Sequence, residues 1–254
     1  MKRVFLYGDV ADSFEANSAW FVEAAGARDA RIALLLMGGP SWERYVARYR
    51  DPWTRLGAAE VWPIVPMEGM TQLSAEALAC LRSCTGIFIA GGDTRQYHRI
   101  YACPEVAAIV RERHEAGVPF GGASAGALIA PETCILWGSK VTTAANEFFL
   151  RPKSDLDPAK DGDVQLRVGK GLGLLRDCVV ETHFSERGGF PRLVAAMEQT
   201  ESTHGFGIDE PICLEIRDEI HVKVHGRGRA YVLRRSGPLR LEVRVLEPGD
   251  EFGI

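Results

Sequence analysis

The sequence predicts an α/β fold built on a mostly parallel sheet, with additional antiparallel strands in its C-terminal third. Three observations lead there. In the first half, short apolar runs alternate with segments of helical period, which is the pattern of β-α-β units. In the last third, apolar runs follow one another with only turn residues between them. The chain has 254 residues, 46% of them hydrophobic, enough to bury one substantial core, so a single domain spanning 1–254 is expected.

Taken in order, residues 4–7, 31–37, 61–65 and 87–90 read as strands, with helices over 12–25, 41–50 and 74–84 between them. Ser74 supplies an N-cap hydroxyl for the third helix, with Glu76 in its first turn. A further helix over 105–115 is ended by Gly117. Residues 118–121 form a short strand, and a helix starts within 125–130. Between 140 and 170 the periodicity fails. The charged, proline-containing run from Arg151 to Pro158 is expected to be a surface loop or a flap beside the substrate. A strand returns at 178–182 and a helix at 190–199. The runs 212–216, 219–224, 230–233 and 239–245 are expected to extend the same sheet antiparallel.

Composition narrows the function. A formal net charge of -4 gives no electrostatic reason to expect nucleic acid, which leaves small molecules or peptides as partners. The six cysteines show neither Cys-x-x-Cys pairing nor zinc-ligand spacing to a histidine, so they read as reduced core residues, and no metal or cofactor is expected. The N-terminal apolar stretch breaks at Gly8-Asp9, too short for a signal-peptide core, and no apolar run is long enough to span a bilayer. No membrane contact is expected, and the cytoplasm is the expected compartment.

The chemistry centres on Gly122-Ala123-Ser124-Ala125-Gly126. Small residues flank a serine between a strand and a helix start, as a nucleophile elbow requires, because the serine sits on a tight turn with little steric room. A bare G-x-S-x-G is also a common glycine-rich turn; the strand-turn-helix setting is what favours the elbow. A serine hydroxyl needs a base, and among six histidines His183 stands at the end of an apolar strand and before a helix, where α/β sheets present catalytic groups. The third motif is Ile87-Phe88-Ile89-Ala90-Gly91-Gly92-Asp93-Thr94, a strand running into paired glycines. Acyl transfer needs backbone N–H donors for the oxyanion, and Gly92 and Ala125 are the candidates. Gly91-Gly92 alternatively serves only a tight turn.

Together and in this order, these motifs resemble the serine peptidases of the dipeptidase E and cyanophycinase family, and the resemblance runs nearly end to end. Gly122 to Ala127 is similar to that family's G-x-S-A-G-A, and Ile87 to Thr94 to its strand ending in G-G-D or G-G-N. Gly171-Leu172-Gly173-Leu174-Leu175, His183-Phe184-Ser185-Glu186-Arg187-Gly188, Gly205-Phe206-Gly207-Ile208-Asp209-Glu210 and the 226–233 stretch resemble motifs of the cyanophycinase branch. The resemblance implies a three-layer sandwich of the class I glutamine-amidotransferase type. It also implies hydrolysis through an acyl-enzyme, in which Ser124 attacks, His183 moves the proton, and the Gly92 and Ala125 amides hold the oxyanion. Family members act beside aspartate, which implies a cationic group for a carboxylate. Arg187 matches that position, and Thr94 is the accompanying substrate-binding candidate. Arg187 could instead pair with Glu186 or Glu181, and Arg192 could equally decorate the exposed face of the following helix.

This chain departs from the cyanophycinase branch at Thr94, where that branch carries glutamine, and at Glu181, Thr182 and Gly189. The acid expected shortly after the serine is not found in Ser139-Lys140-Val141-Thr142. The third catalytic residue stays unassigned, with Glu147 the nearest downstream carboxylate and Glu132 close behind the elbow. The expected function is a serine-type peptidase-like hydrolase for a small peptide or isopeptide bond beside an acidic residue. The alternative is a family member without turnover that binds an acidic small ligand. A homodimer is expected through an edge of the late strands.

Overall fold

In a computed structural model, which describes residues 1–254 except 11, 40–41, 67–68, 139–164 and 238–239, the apolar runs of the first half become parallel neighbours. The strands β1 (Arg3–Tyr7), β2 (Arg31–Leu35), β3 (Glu60–Ile64), β4 (Gly86–Ile89) and β5 (Phe120–Ala123) lie in the order β1-β5-β4-β2-β3. All four of these pairings are parallel, so all five carboxyl ends meet one edge. Most of these strand residues are buried, and the strands accordingly read as apolar runs.

Helices α1 (Phe14–Ala24), α2 (Trp42–Arg55), α3 (Ala75–Ser83), α4 (Thr94–Tyr101) and α5 (Pro104–Glu115) form the crossovers; α1 packs on α2, and α3 and α4 on α5. Ser74 caps α3 as expected, its hydroxyl accepting from the Ala77 N–H at 3.2 Å. Helix α2 runs on through Pro52, beyond the 41–50 span read from sequence, and α4 has no counterpart among the elements read there. The centre of the core is aromatic: Phe88 packs against Tyr7, Phe14, Phe21, Tyr49 and Trp53 with centroids 5.0–5.9 Å apart. Each such buried ring contributes about 1.5–3 kcal/mol over its exposed state.

The C-terminal third divides differently from the single extension that the sequence suggests. Strands β10 (Ile212–Arg217), β11 (His221–Gly226) and β14 (Glu251–Gly253) do extend the main sheet antiparallel beyond β1, giving eight strands. Strands β9 (His204–Ile208), β12 (Ala230–Gly237) and β13 (Arg240–Leu246) instead join β8 (Cys178–Thr182) in a second sheet of four, in which β8 and β9 are parallel. Helix α7 (Phe190–Thr200) covers β8 and β9 with Leu193, Ala196 and Met197. A short helix α6 (Ala125–Leu128) follows β5, and an antiparallel pair, β6 (Thr133–Trp137) and β7 (Arg167–Lys170), forms a third sheet. The fold is a mixed α/β sandwich with additional antiparallel C-terminal strands. The segment 151–158, expected as a loop, lies outside the described residues. Among the described residues no helix is long and apolar enough to cross a membrane.

Candidate active site

Ser124 stands where β5 turns into α6, with φ 49° and ψ -110°. A non-glycine residue held at positive φ costs on the order of 1–3 kcal/mol and persists only where its surroundings over-determine it. Here the Ser124 N–H is bound to the Tyr7 carbonyl at 3.0 Å, and its carbonyl accepts from Leu128 at 2.9 Å. The glycines on either side have a steric reason: a Cβ on Gly122 would come within 2.5 Å of the Gly126 carbonyl oxygen, and one on Gly126 within 2.1 Å of that of Ile89. The elbow is thus packed directly on β4 and β5, and a larger residue at either position would push it off.

His183 comes from the second sheet. It follows β8, also at positive φ (51°), and is 4% exposed. Its Nε2 is 2.9 Å from Ser124 Oγ, and its Nδ1 is 2.7 Å from Glu210 Oε1. A carboxylate only accepts, so Nδ1 is assigned the hydrogen and Nε2 faces the serine with its lone pair. Glu210 lies in the turn between β9 and β10, where the chain passes from the second sheet to the first.

That turn is tied down on several sides. Asp9, just past the end of β1, donates its N–H to the Glu210 carbonyl at 3.2 Å, and the Glu210 N–H is bound by the Glu186 carboxylate at 3.1 Å. The neighbouring Asp209 accepts from the Ser185 N–H at 2.9 Å, and Asn17 of α1 donates to the Pro211 carbonyl at 3.0 Å. Asp9, His183 and Glu210 offer ligand-type atoms within 4.8 Å of one another, the one such group among the described residues; the short Nδ1 to Glu210 bond accounts for the approach of two of its members.

Among the described residues the carboxylate that meets His183 is Glu210, a residue the sequence reading does not single out. Glu147 lies outside the described residues. Glu132 is exposed in the turn before β6, its N–H bound to the Leu175 carbonyl. The residue that meets His183 is the last of Gly205-Phe206-Gly207-Ile208-Asp209-Glu210, a motif whose paired carboxylates directly after a strand were the available signal.

The paired glycines sit one strand over. A Cβ on Gly91 would lie 3.2 Å from Ser124 Cβ, so the bare Cα lets the turn approach the serine. The Gly91 N–H is bound by the Tyr49 hydroxyl at 3.3 Å, and the Gly91 carbonyl accepts from the Tyr97 hydroxyl at 2.9 Å. In a trans peptide the N–H points opposite to the C=O, so this bond aims the Gly92 N–H away from Tyr97. Ala125 begins α6, where the first N–H groups have no intrahelical partner. Among the described residues neither the Gly92 nor the Ala125 N–H is committed to a protein acceptor.

Thr94 is the first residue of α4, whose N-cap Asp93 accepts from the Arg95 N–H at 2.9 Å. Arg187 is exposed in the loop after His183. Nearby, Glu186 accepts from the Glu210 N–H at 3.1 Å, and Glu181 accepts from Arg192. Arg192 does not merely decorate the helix: it binds the buried Glu181 through Nε and, at 2.6 Å, through its terminal NH2 group. Gly189, where the cyanophycinase pattern carries arginine, has no room for a side chain, since a Cβ would meet Glu181 Cγ at 2.8 Å and Phe184 Cδ2 at 3.0 Å.

The chain is similar to cyanophycinases. It is 29% identical over 216 residues to that of Synechococcus elongatus, covering 84% of this chain but 61% of the relative, so it spans about three fifths of that protein. It is 28% identical over 255 residues to that of Trichormus variabilis, covering 92% of this chain and 78% of the relative. The crystal structure of a peptidase from an acI-B1 Actinobacterium matches with a TM-score of 0.68 at 16% identity, over 100% of this chain and 97% of that one, which is a likeness of fold. The family model for Peptidase family S51 matches residues 11–224, a span that holds Ser124, His183 and Glu210 together, and the chain belongs to that family.

Proposed function

We propose that this protein is a serine-type peptidase that cleaves a small peptide or isopeptide bond beside an acidic residue through an acyl-enzyme. The observation that carries this reading is the continuous relay from Ser124 Oγ to His183 Nε2 (2.9 Å) and from His183 Nδ1 to Glu210 (2.7 Å). In this reading His183 takes the hydroxyl proton as Oγ attacks the carbonyl carbon, while Glu210 holds the imidazole in the required tautomer and stabilises the imidazolium. The oxyanion is received by the Gly92 and Ala125 amides. Collapse breaks the C–N bond, with the leaving amine taking the proton from His183; water then attacks the ester by the same route in reverse.

Arg187 is the group proposed to hold the substrate carboxylate, as it is exposed on the loop that carries His183. Thr94 is proposed to line the opposite rim. Cyanophycin itself is not the proposed substrate, because the space at Gly189 is filled by Glu181 and Phe184. The alternative, a binding protein without turnover, rests on the lack of an acid behind His183; the bond from His183 Nδ1 to Glu210 supports the peptidase reading over it. A fluorophosphonate probe is expected to label the wild-type protein and not Ser124→Ala. Equal labelling of both, or aspartyl-peptide turnover that survives Ser124→Ala, overturns the reading.

The proposed compartment is the cytoplasm, in keeping with six free cysteines. The proposed partner is a second copy of the chain. Strand β13 ends the second sheet, and Val243 and Val245 on it are about half exposed. An antiparallel copy centred on Val243 sets Glu242 of each chain opposite Arg244 of the other, a self-complementary edge.

A further inference from the structure

Two paired-glycine turns occur in this chain at equivalent places, Gly38-Gly39 after β2 and Gly91-Gly92 after β4. Because β2 and β4 are parallel neighbours in register from Ile32↔Gly86 to Leu35↔Ile89, the two turns lie side by side at the carboxyl edge, in the crevice where α/β sheets bind ligands. Between them is a cavity of about 190 Å³. That is smaller than sites for whole drug-sized ligands, about 300–1,000 Å³, and suits a single side chain.

The lining decides which side chain. Three rings surround the space, Trp42 and Tyr45 from α2 and Tyr97 from α4, with Leu36, Met37, Ala90 and the amide of Gln96 also on the wall. Tyr97 is held rigidly. Its ring lies against Gly92, where a Cβ would come within 2.6 Å of Cε2, and its hydroxyl accepts from the Met37 N–H at 3.3 Å while donating to the Gly91 carbonyl. Tyr45, by contrast, is 52% exposed at the mouth. Aromatic rings with large exposed area gain most when another ring stacks or meets them edge-on. Among the described residues of the lining the one charged residue is Asp93, and its carboxylate is already bound by the Arg95 guanidinium at 2.6 and 3.1 Å. A substrate carboxylate would meet no cation of the lining here, and a substrate cation would have to displace Arg95.

We propose that this cavity is a side-chain subsite for an aromatic residue of the peptide. It lies across the Gly91-Gly92 turn from Ser124, whereas Arg187 belongs to a different segment, the loop that follows His183. The substrate class that fits both is a peptide with an acidic residue on one side of the scissile bond and an aromatic residue on the other. This rests on the peptidase reading above.

The test measures kcat/KM for Asp-Phe, Phe-Asp, Asp-Ala, Ala-Asp and their β-linked forms, together with binding of the same peptides to the Ser124→Ala protein by calorimetry and tryptophan fluorescence. In one order of residues the phenylalanine peptide is expected to exceed its alanine counterpart by about tenfold or more, the usual yield of an apolar pocket. In Tyr45→Ala that ratio should fall towards one. Tyr45 is exposed, so the fold tolerates its loss, and Tyr45→Phe should retain the ratio. A ratio near one in the wild type, a preference for arginine or aspartate in place of phenylalanine, or a ratio that Tyr45→Ala leaves intact overturns the subsite. If nothing is hydrolysed but the phenylalanine peptide binds Ser124→Ala in a Tyr45-dependent way, the peptidase reading fails and the subsite stands; if nothing binds either, both fall.

Discussion

Among single residues, Ser124 and His183 share an unusual property: each is a non-glycine residue at positive φ, 49° and 51°. Neither is free to relax, because each is bonded through its own backbone, Ser124 to Tyr7 and Leu128, His183 through its carbonyl to the Arg187 N–H at 2.9 Å. The hydrogen bond between their side chains is therefore built in advance rather than formed by chance approach. Replacing Glu210 with glutamine keeps the shape of the turn but offers Nδ1 a group that both donates and accepts. Turnover is expected to fall on the order of 10⁴-fold in kcat, as loss of the tautomer-fixing acid does in other serine hydrolases. Steady-state kinetics beside an unchanged circular dichroism spectrum would check this; a drop of less than about tenfold would remove Glu210 from the relay. Ser124 and His183 were legible in the sequence because their signals are local, small residues around one and a strand end before the other. Glu210 was not, since nothing local in Asp209-Glu210 says which carboxylate turns to His183 and which to the Ser185 amide.

Among the elements, two buried carboxylates fix strands in place. Glu181, on β8, is 1% exposed and is held by Arg192 from α7. Removing one partner of a buried pair leaves a charge without compensation, so Arg192→Ala is expected to cost about 3–5 kcal/mol in urea unfolding, and Glu181→Leu together with Arg192→Met should recover most of it. A loss under about 1 kcal/mol would show that solvent reaches Glu181. Glu215, on β10, behaves differently with pH. Burial pushes its pKa up, but hydrogen bonds from His225 (2.9 Å) and Arg217 (2.7 and 3.0 Å), with the charge of Arg217, bring it down to about 2, below the ordinary 4.5. A carboxyl depressed in the folded state stabilises above its unfolded pKa and loses that contribution as pH falls through the folded one. The gap in urea midpoint between the wild type and Glu215→Gln is therefore expected to hold at neutral pH, narrow below 4.5 and close near 2. A gap that does not change with pH would rule out this role.

In the molecule as a whole, the candidate site lies on the seam between the two sheets: Ser124 from β5 of the first, His183 from β8 of the second, and Glu210 from the turn that joins them. Its geometry thus depends on how the sheets dock, and the bonds from Asp9 and Asn17 to the 210–211 turn fasten that docking. The far edge of the second sheet, β13, is the proposed contact with a second copy. Val243→Glu there places like charges across the two-fold axis, and light scattering is expected to show a monomer for this variant and a dimer for the wild type. A wild-type monomer at tens of micromolar would exclude the contact.

Hydrophobic period and steric smallness are properties of a few neighbouring residues, and for that reason the parallel half of the sheet, the elbow at Ser124 and the histidine after β8 could be read from the chain alone. The split of the late strands between two sheets, the service of Arg192 to Glu181 and the completion of the relay by Glu210 emerged with the folded arrangement. Each of these depends on which residues distant in the chain become neighbours in space, and apolar runs that are equally fit for either sheet carry no mark of the choice.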